Sequence, residues 1–450
     1  MVISYLRPIA MARGELVNRL LCGAGADNGD TIRVNNDIHD LTGVLMPSSV
    51  ASGEDIITLK LKNGYNVGIK AGNDAAITLV SKKKGIVKKE KKIPFDPKKP
   101  TVAVLGTGGT IACYVDYRTG AVHPATSAED LAFSVPEIFE ECNVRARVIY
   151  NMLSEDMQPD NWQKLAREVA KELNEGAAGV VIPHGTDTLG YTAAALAFML
   201  NDLSGPVVLV GAQRSSDRPS SDAASNLLAA ARVAARSDMG EVVVVMHGES
   251  SDTHLNIHRG TRVRKMHASR RDAFQSVNAV PLGRVTPEGK IELAGHYKKK
   301  CAGPVQVDDL MDEDVAIIQT YPGISPEHIT GVVRDGVVLV GTGLGHISSR
   351  CLPAVGELIK KGAHVVMSSQ CLWGRVNMNV YSTGRDLLAL GVISAEDMLP
   401  EVAYIKLMWV LGHTKDAAEV RRLMASDVAG ETSRRTPSET YGGERNASRL

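Results

Sequence analysis

Aromatic residues are scarce in this chain, at 4% of its 450 residues, although 44% of the residues are hydrophobic. The cores are therefore expected to be mostly aliphatic. An excess of charge of one sign is also lacking, because 51 Lys and Arg residues are balanced by 51 Asp and Glu residues. Nothing global therefore draws the chain to nucleic acid or to a membrane surface, and any RNA contact would need a local patch or a partner.

Paired cysteines and long apolar runs are absent from the sequence as well. The six cysteines are scattered, with no Cys-X-X-Cys pair: Cys22, Cys113, Cys142, Cys301, Cys351 and Cys371. This pattern fits neither a disulfide framework nor a zinc site and is typical of a reducing compartment, so we expect a cytoplasmic protein without a bound metal. No apolar run reaches the roughly 18 residues that span a bilayer, and the N-terminus lacks the features of a signal peptide.

Residues 1–81 consist of short β-like runs separated by Gly, Asn and Asp, at 31–34, 42–46, 56–62, 66–70 and 76–80. Short, evenly spaced strands with turn residues between them predict a small antiparallel β-barrel domain. Residues 82–99 then hold nine lysines and two prolines. Such a segment buries too little apolar surface to fold by itself, which predicts a linker. It would serve either as a solvated tether or as a strap that binds RNA or a partner.

From residue 100 onward, apolar β-branched runs alternate with helix-like stretches. The strand-like runs lie at 102–105, 180–182, 207–210 and 242–246, and the helical ones at 160–173, 192–200 and 222–235. This alternation predicts a parallel sheet with crossover helices, in a domain that spans residues 100–305. A second α/β set at 316–320, 337–340 and 365–367 predicts a further domain at 306–430. We interpret the polar residues 283–312 as the connection between two lobes, and residues 431–450 as a disordered tail.

Two threonine motifs follow strands of this predicted sheet: Gly-Thr-Gly-Gly-Thr-Ile-Ala at 106–112 and His-Gly-Thr-Asp-Thr at 184–188. A strand that ends in a glycine-rich turn presents backbone N–H groups and hydroxyls at the carboxyl edge of a sheet, where α/β proteins bind small ligands. Thr110 and Thr186 can therefore face one substrate. The first motif is not a phosphate loop, because Ile111 stands where a dinucleotide fingerprint needs glycine and no Gly-Lys-Ser/Thr follows. The glycine-rich run at 341–346 also departs from these nucleotide-binding patterns. It predicts a tight strand-to-helix turn instead.

A threonine hydroxyl becomes a nucleophile only when a base takes its proton, and a desolvated lysine can act as that base. Lys265 is a candidate, and Asp187 beside Thr186 could orient it or bind a substrate ammonium group. If residues 261–266 are extended, Lys265 points inward while Arg262 and Arg264 point to solvent or to a partner. The alternative is that Lys265 belongs to a basic run on the surface.

The paired motifs resemble those of the L-asparaginase family, and the resemblance covers roughly residues 100–425. Members of this family cleave a side-chain amide through an acyl-enzyme, with one threonine from each turn. The resemblance implies that Thr110 is the nucleophile of the first turn. Thr186, Asp187 and Lys265 match the triad of the second turn, and the stretch 273–278 lies in the register that the family shows after its lysine. Which threonine attacks first stays open.

The same resemblance implies where a substrate binds. The stretch 154–157 is similar to the loop that holds the α-amino and α-carboxyl groups of the substrate, although the family often has Gln at the position of Glu155. The substrate-binding residues implied in this way are Gly109, Ser154, Glu155 and Gly185. The first-turn triad also needs a tyrosine on a mobile loop, and both Tyr117 and His123 are candidates for its position. A preference for Asn or for Gln does not follow from these residues.

A small N-terminal β domain joined to such a body resembles one branch of the family, the D subunits of archaeal-type glutamyl-tRNA(Gln) amidotransferases. The similar stretches lie at 43–48, 59–65, 116–124 and 262–272. This resemblance implies an amidohydrolase subunit that releases ammonia from Gln or Asn, so that a partner subunit can convert Glu-tRNA(Gln) to Gln-tRNA(Gln). The alternatives are a free-standing L-asparaginase with an added β domain and an inert scaffold.

The resemblance also implies the partners of the chain. The E subunit of the amidotransferase would hold ATP and Mg²⁺, with no cofactor on this chain. The tRNA(Gln) would bind through the complex. A homodimer within a heterotetramer is the implied assembly.

Overall fold

The structure is a computed structural model that describes residues 13–47, 53–61, 66–82, 93–108, 113–115, 122–124, 133, 135–214, 220–294, 296–435 and 440. Residues 113–115 and 122–124 are described by their backbone alone. The larger sheets in these ranges are one five-stranded, one eight-stranded and one four-stranded sheet.

The five-stranded sheet follows helix α1 (Glu15–Gly23) near the N-terminus. Its strands are β1 (Thr31–Asn35), β2 (Asp40–Leu45), β3 (Ile56–Lys60), β4 (Asn66–Lys70) and β5 (Ala76–Ser81). They pair antiparallel in the order β4-β3-β2-β1-β5, so that β4 and β5 form the two edges. Alternate residues of β1, Ile32 and Val34, share a core with Val17 and Leu21 of α1. The prediction of a small antiparallel β domain before the α/β body is confirmed, whereas its closure into a barrel stays a prediction, since β4 and β5 do not pair in the described residues.

Strands and helices alternate through the remainder of the chain. The strands are β6 (Thr101–Gly108), β7 (Cys113–Val115), β8 (Val122–Pro124), β9 (Asn143–Met152), β10 (Gly179–Pro183), β11 (Leu200–Asn201), β12 (Val207–Val210), β13 (Val242–His247), β14 (Leu255–Arg259), β15 (Val263–Lys265), β16 (Phe274–Ser276), β17 (Gly283–Val285), β18 (Ile291–Leu293), β19 (Gln306–Val307), β20 (Val315–Gln319), β21 (Gly336–Gly341), β22 (His364–Ser369) and β23 (Ile393–Ser394). The helices are α2 (Ile138–Glu141), α3 (Pro159–Asn174), α4 (Leu189–Met199), α5 (Ala223–Arg236), α6 (Pro326–Thr330), α7 (Leu352–Lys360), α8 (Ser382–Leu390), α9 (Pro400–His413) and α10 (Ala417–Ala425). In the described part of the chain, no helix is both long enough and apolar enough to cross a membrane.

The eight-stranded sheet has the order β18-β17-β14-β13-β12-β10-β6-β9. Strands β9, β6, β10, β12 and β13 pair in parallel. The parallel pairing of β6, β10, β12 and β13 was predicted, whereas β9 was not among the predicted strands. Residues 283–293 were expected to connect two lobes, but β17 and β18 instead extend this sheet as an antiparallel edge. Their short hairpin is easily missed in a polar sequence, because only Gly283 and Val285 of these two strands are buried.

Helices cover both faces of the eight-stranded sheet. On β6, Ala103 and Leu105 face a core that they share with α3, α4 and α9. Val102 and Val104 face a second core, shared with α2 and α5. Burial on both faces explains why the central strands have continuous apolar runs rather than alternating ones.

The second lobe is a parallel sheet in the order β20-β21-β22-β23. Helices α6, α7 and α8 share one core with it. On the other face, Val338 and Val366 belong to the core of the first lobe. Helix α9 packs against α4 of the first lobe and against β20, β21 and β22 of the second. The two lobes therefore share one continuous core through α9.

The predicted linker, residues 82–99, is only partly described. Its last residues are attached to the body by Asn143, whose Nδ2 donates to the carbonyls of Asp96 at 2.7 Å and Lys99 at 2.9 Å. Lys82 at its start donates to the carbonyl of Gly25 at 2.6 Å. Residues 83–92 lie outside the described residues. The role of this stretch as a linker stays a prediction, as do the domain bounds 1–81, 100–305 and 306–430.

The segment after α10, residues 426–435, lies against the body, and we call it the C-terminal strap. Glu431 is fully buried and pairs with the equally buried Lys406 of α9 at 2.6 Å. The carboxylate also accepts the backbone N–H groups of Val428 at 3.1 Å and Ala429 at 2.6 Å. The prediction of a disordered tail is therefore wrong for residues 431–435, because composition does not reveal a distant ion-pair partner. Residues 436–439 and 441–450 lie outside the described residues.

We expect Glu431→Ala to destabilise the fold by about 3–5 kcal/mol, because it leaves the buried ammonium of Lys406 without its carboxylate. Urea unfolding followed by circular dichroism measures this change. The matched control is Glu419→Ala on α10, which removes a carboxylate from an exposed pair with Arg422 and should change stability far less. Equal effects of the two substitutions would contradict a stabilising role for the strap.

Candidate active site

Strands β6 and β10 are parallel neighbours, with Val102 paired to Gly179. The turns that follow them therefore start side by side at the carboxyl edge of the sheet. Thr107 ties the two strand ends together, since its buried hydroxyl donates to the carbonyl of Pro183 at 3.0 Å. Gly108 has φ of 105°, and a Cβ at this position would lie 2.3 Å from the carbonyl oxygen of Met152. Only glycine fits at the start of this turn.

Several predicted residues of the first turn lie outside the described residues: Gly109, Thr110 and Tyr117. His123 lies on β8, which pairs with β7, but only its backbone is described. Strand β6 ends at Gly108, at this edge of the sheet. The assignments of Thr110 as a nucleophile and of Tyr117 or His123 as its partner stay predictions.

The second turn brings three predicted residues into contact. Lys265 Nζ lies 2.8 Å from Thr186 Oγ1 and 2.8 Å from Asp187 Oδ1. Thr186 is buried, the Lys265 side chain is 16% exposed, and that of Asp187 is 69% exposed. Gly211 makes room for the threonine, because a Cβ there would lie 2.6 Å from Thr186 Cγ2. The lysine therefore faces the threonine turn and does not belong to a basic surface run.

The arginines beside Lys265 do not both point outward. Arg264 makes an ion pair with Glu401 at 2.9 Å. Arg262, only 3% exposed, pairs with the buried Asp397 at 3.1 Å. The expectation that both arginines face solvent or a partner is wrong for Arg262, because Gly260–Arg262 forms a 3₁₀ turn. Faces alternate only along extended backbone, and here the strand begins one residue later.

His184 supports the second turn through hydrogen bonds, a role that the sequence analysis did not assign to it. Its Nδ1 donates to the carbonyl of Gly185 at 2.7 Å, and its Nε2 accepts the hydroxyl of Thr192 at 2.9 Å. That hydroxyl oxygen in turn accepts the indole N–H of Trp162 at 3.0 Å. The carbonyl can only accept, so Nδ1 carries a proton. No local signal in the sequence indicates this contact, because Thr192 lies eight residues after His184, across a turn and at the start of α4.

Complete burial disfavours the imidazolium form of His184 and lowers its pKa to about 4, although the hydrogen bond to the Gly185 carbonyl acts in the opposite direction. The ring therefore stays neutral at physiological pH. A neutral ring keeps the direction of its hydrogen bonds and fixes the backbone that precedes Thr186.

The predicted substrate loop lies against the second turn. Ser154–Asp156 forms a 3₁₀ turn in which Ser154 is buried and Glu155 is exposed. A Cβ at Gly185 would lie 2.6 Å from Ser154 Cβ, so this approach requires glycine. The hydroxyl of Thr188 donates to the carbonyl of Ser154 at 2.6 Å. The structure thus brings Ser154 and Gly185 together beside Thr186, while their roles in substrate binding stay predictions.

No group of three or more His, Cys, Asp or Glu side chains in the described residues is arranged to hold a metal ion. What the described site offers instead is a buried hydroxyl in contact with an amine, an exposed carboxylate, and glycine turns at a sheet edge. These groups suit nucleophilic attack on a small carbonyl or amide compound.

Three family models match this chain. They are "Asparaginase, N-terminal" over residues 101–298, "Glutaminase/Asparaginase C-terminal domain" over residues 314–424 and "GatD N-terminal domain" over residues 26–80. The body and the N-terminal sheet are therefore each similar to a known family.

Curated relatives resemble the chain over nearly its whole length. The D subunit of glutamyl-tRNA(Gln) amidotransferase from Pyrococcus furiosus is 51% identical, over 94% of this chain and 99% of the relative. The protein of the same name from Thermococcus kodakarensis is 52% identical, over 93% and 97%.

Among solved structures, the L-asparaginase of Thermococcus kodakarensis has a TM-score of 0.67 and 37% identity, covering 74% of this chain and 99% of its own. L-asparaginase I of Vibrio cholerae has a TM-score of 0.65 and 32% identity, with the same coverage. These enzymes leave about a quarter of this chain unmatched.

We expect stability to fall between about pH 6.5 and pH 4 because of His184. Its pKa is lower in the folded protein than in the unfolded chain, so in this window the unfolded chain binds a proton that the folded protein does not. The loss approaches about 3 kcal/mol at pH 4, and above pH 6.5 the residue contributes no pH dependence. Urea unfolding at a series of pH values measures this slope.

The His184→Gln variant should be less stable and should lack this part of the slope. Replacing the exposed His39 by Gln is the matched control and should leave the slope unchanged. A slope that survives His184→Gln intact would contradict the neutral, buried state of the ring.

Proposed function

We infer the function of this chain from its family, because the chain belongs to the L-asparaginase family and, within it, to the D subunits of glutamyl-tRNA(Gln) amidotransferase. It is the amidohydrolase subunit of a tRNA-dependent amidotransferase. The observation that carries this conclusion is the N-terminal β domain, matched over residues 26–80, together with more than 50% identity to D subunits.

The reaction is release of ammonia from the side-chain amide of Gln or Asn, for conversion of Glu-tRNA(Gln) to Gln-tRNA(Gln). The alternative of a free-standing L-asparaginase accounts for the body alone, since solved L-asparaginases cover 74% of the chain. It leaves the five-stranded sheet without an explanation.

Thr186 and Lys265 are the pair that we propose for proton transfer. The contact between Lys265 Nζ and Thr186 Oγ1 is 2.8 Å long. With the amine deprotonated, the Thr186 hydroxyl donates across it, and Nζ can take the proton as the Thr186 oxygen attacks. Alternatively, Thr186 relays to Nζ a proton from a second nucleophile. Asp187 accepts one hydrogen from the same amine at 2.8 Å and so fixes its direction. Because the Asp187 carboxylate is largely exposed, it is also free to meet a substrate ammonium group.

Thr110 is proposed as the nucleophile of the first turn. The position of β6 beside β10 supports this proposal, since it directs both turns to the same edge. Attack of the hydroxyl oxygen on the amide carbon gives an acyl-enzyme and ammonia, and water then releases Asp or Glu. Backbone N–H groups at Gly109 and Gly185 would stabilise the oxyanion by about 3 kcal/mol per donor. Tyr117 and His123 both remain candidates for the group that activates Thr110.

The substrate α-groups are proposed to bind beside Ser154 and Glu155. Support comes from the close approach of Ser154 to Gly185, which places this loop next to Thr186. Glu155 is exposed at the same loop and can accept a hydrogen bond from an α-ammonium group. The family often has glutamine at the position of Glu155. The carboxylate at this position therefore affects whether the site prefers Asn or Gln as its substrate.

The chain works with other subunits, as the word "subunit" in the names of its relatives states. We propose that the E subunit of the amidotransferase binds ATP and Mg²⁺ and amidates the glutamyl-tRNA, that tRNA(Gln) binds through the complex, and that this chain forms a homodimer within a heterotetramer. We also propose the cytoplasm as its location. Support comes from its unpaired thiols at Cys22, Cys142, Cys301, Cys351 and Cys371.

We expect Lys265→Met and Thr186→Val each to lower kcat for ammonia release by about 10²–10⁴-fold, because each removes one end of the proposed proton transfer. The assay is coupled ammonia detection with Gln and with Asn. The matched control is Lys300→Met, which removes an exposed lysine from the 298–300 run and should leave kcat unchanged. Full activity in both site variants would remove the support for this site.

A coupled amidohydrolase should release little ammonia alone and more when its partner and glutamyl-tRNA are present. We expect a rise of about tenfold or more, the size of an ordinary coupling between sites. The measurement is ammonia release by the isolated chain, by the chain with co-purified partner, and by the complex with glutamyl-tRNA(Gln). Brisk turnover that does not respond to either addition would favour the free-standing L-asparaginase.

A further inference from the structure

Lys265 is the last residue of β15, a strand of three residues that pairs with β16 alone among the described strands. Such a short strand has few ladder hydrogen bonds to fix its position. The amine nevertheless keeps two contacts of 2.8 Å, to Thr186 and Asp187. Contacts outside the ladder therefore also contribute to the position of β15.

Those contacts converge on Asp397, a fully buried residue between β23 and α9. Its carboxylate pairs with Arg262 at 3.1 Å, three residues before Lys265. Its backbone carbonyl accepts Arg262 Nη1 at 3.2 Å and Asn278 Nδ2 at 2.9 Å. Asn278 follows β16, so Asp397 holds the residues on both sides of the β15–β16 hairpin.

The C-terminal strap completes the same cluster. The Ser433 backbone N–H donates to Asp397 Oδ1 at 3.1 Å, and its hydroxyl donates to Oδ2. Arg262 Nε donates to the carbonyl of Gly430 at 3.0 Å. Thr261 donates to the carbonyl of Ala429, also at 3.0 Å. The turn that leads into β15 is therefore enclosed by the second lobe and by the strap.

A second ion pair fixes the residue next to Lys265. Arg264 pairs with Glu401 at the start of α9, four residues after Asp397. Both carboxylates come from the second lobe, and both arginines come from the strand that carries the lysine or from the turn just before it. Arg262–Asp397 is buried on both sides, and Arg264–Glu401 has a buried carboxylate. Such pairs have directional hydrogen bonds, so they define one position of the strand where apolar packing would allow several.

We propose that Asp397 is a positioning residue that acts through Arg262 to hold Lys265 against Thr186. This inference rests on the proposed function, in which Lys265 transfers the proton. It adds that the geometry of the first-lobe site is set by a carboxylate of the second lobe and by the strap. Proton transfer requires hydrogen-bond distance, and a misplacement of about 1 Å can lower a rate by about 10²-fold.

The test compares Asp397→Asn with the wild-type chain in the full-length protein. Asparagine keeps the size of the side chain and removes the charge that Arg262 needs. We expect kcat for ammonia release to fall about 10- to 100-fold while KM changes less than about twofold, because Asp397 does not touch the substrate loop at Ser154 and Glu155. The thermal midpoint should fall as well, so kinetics are measured well below that midpoint.

The matched control is Glu141→Gln on α2. Glu141 pairs with Arg232 at 2.9 Å, is nearly buried, and lies on the opposite face of the large sheet, where α2 and α5 pack. We expect this variant to lose stability with kcat unchanged. If Asp397 were merely structural, both variants would lose stability and keep their kcat.

Ser433→Ala is the second test variant, and it is used if Asp397→Asn does not fold. It removes one hydroxyl that orients the Asp397 carboxylate and should lower kcat about threefold, with KM held, in keeping with the modest net energy of one hydrogen bond. A wild-type kcat in Asp397→Asn, or in Ser433→Ala when the former is unfolded, overturns the inference. Lys265→Met separates this result from a failure of the proposed function: if that variant is active, the assignment of the lysine is wrong whatever Asp397 does.

Discussion

The contact between the amine of Lys265 and the hydroxyl of Thr186, at 2.8 Å, joins a short strand to the turn after β10. These residues are far apart in the chain, and the strands that lead to them belong to different sheets. A hydrogen bond tolerates only a narrow range of distance and angle, so the two backbones have to be positioned relative to each other. Much of the surrounding structure can be understood as the means of holding them.

Each side of this contact has its own support. On the threonine side, the neutral imidazole of His184 holds the carbonyl of Gly185, and missing side chains at Gly185 and Gly211 make room for close packing. On the lysine side, the support is electrostatic, from buried carboxylates that meet Arg262 and Arg264. Both carboxylates belong to the second lobe, and α9 packs on both lobes, so the support of the lysine comes from the packing of one lobe on the other.

The sequence was most informative where structure is local. Apolar runs of β6, β10, β12 and β13 predicted the parallel strands, because burial on both faces leaves a continuous apolar signal. The hairpin of β17 and β18 was missed, since an edge strand buries too few residues to produce such a signal. Glycine and threonine at strand ends indicated the second turn correctly, and the resemblance to L-asparaginases selected Lys265 from several basic residues.

What the sequence determined by itself was the order of elements, the two glycine turns and the family. These depend on neighbours within a few residues and on motifs that survive in the linear chain. Only the tertiary structure decided which charges are buried. Arg262 turned inward to Asp397, Glu431 met Lys406, and His184 lost its access to water. Charge burial depends on partners brought together by the folded lobes, and no local pattern encodes the desolvation or the pairing that results.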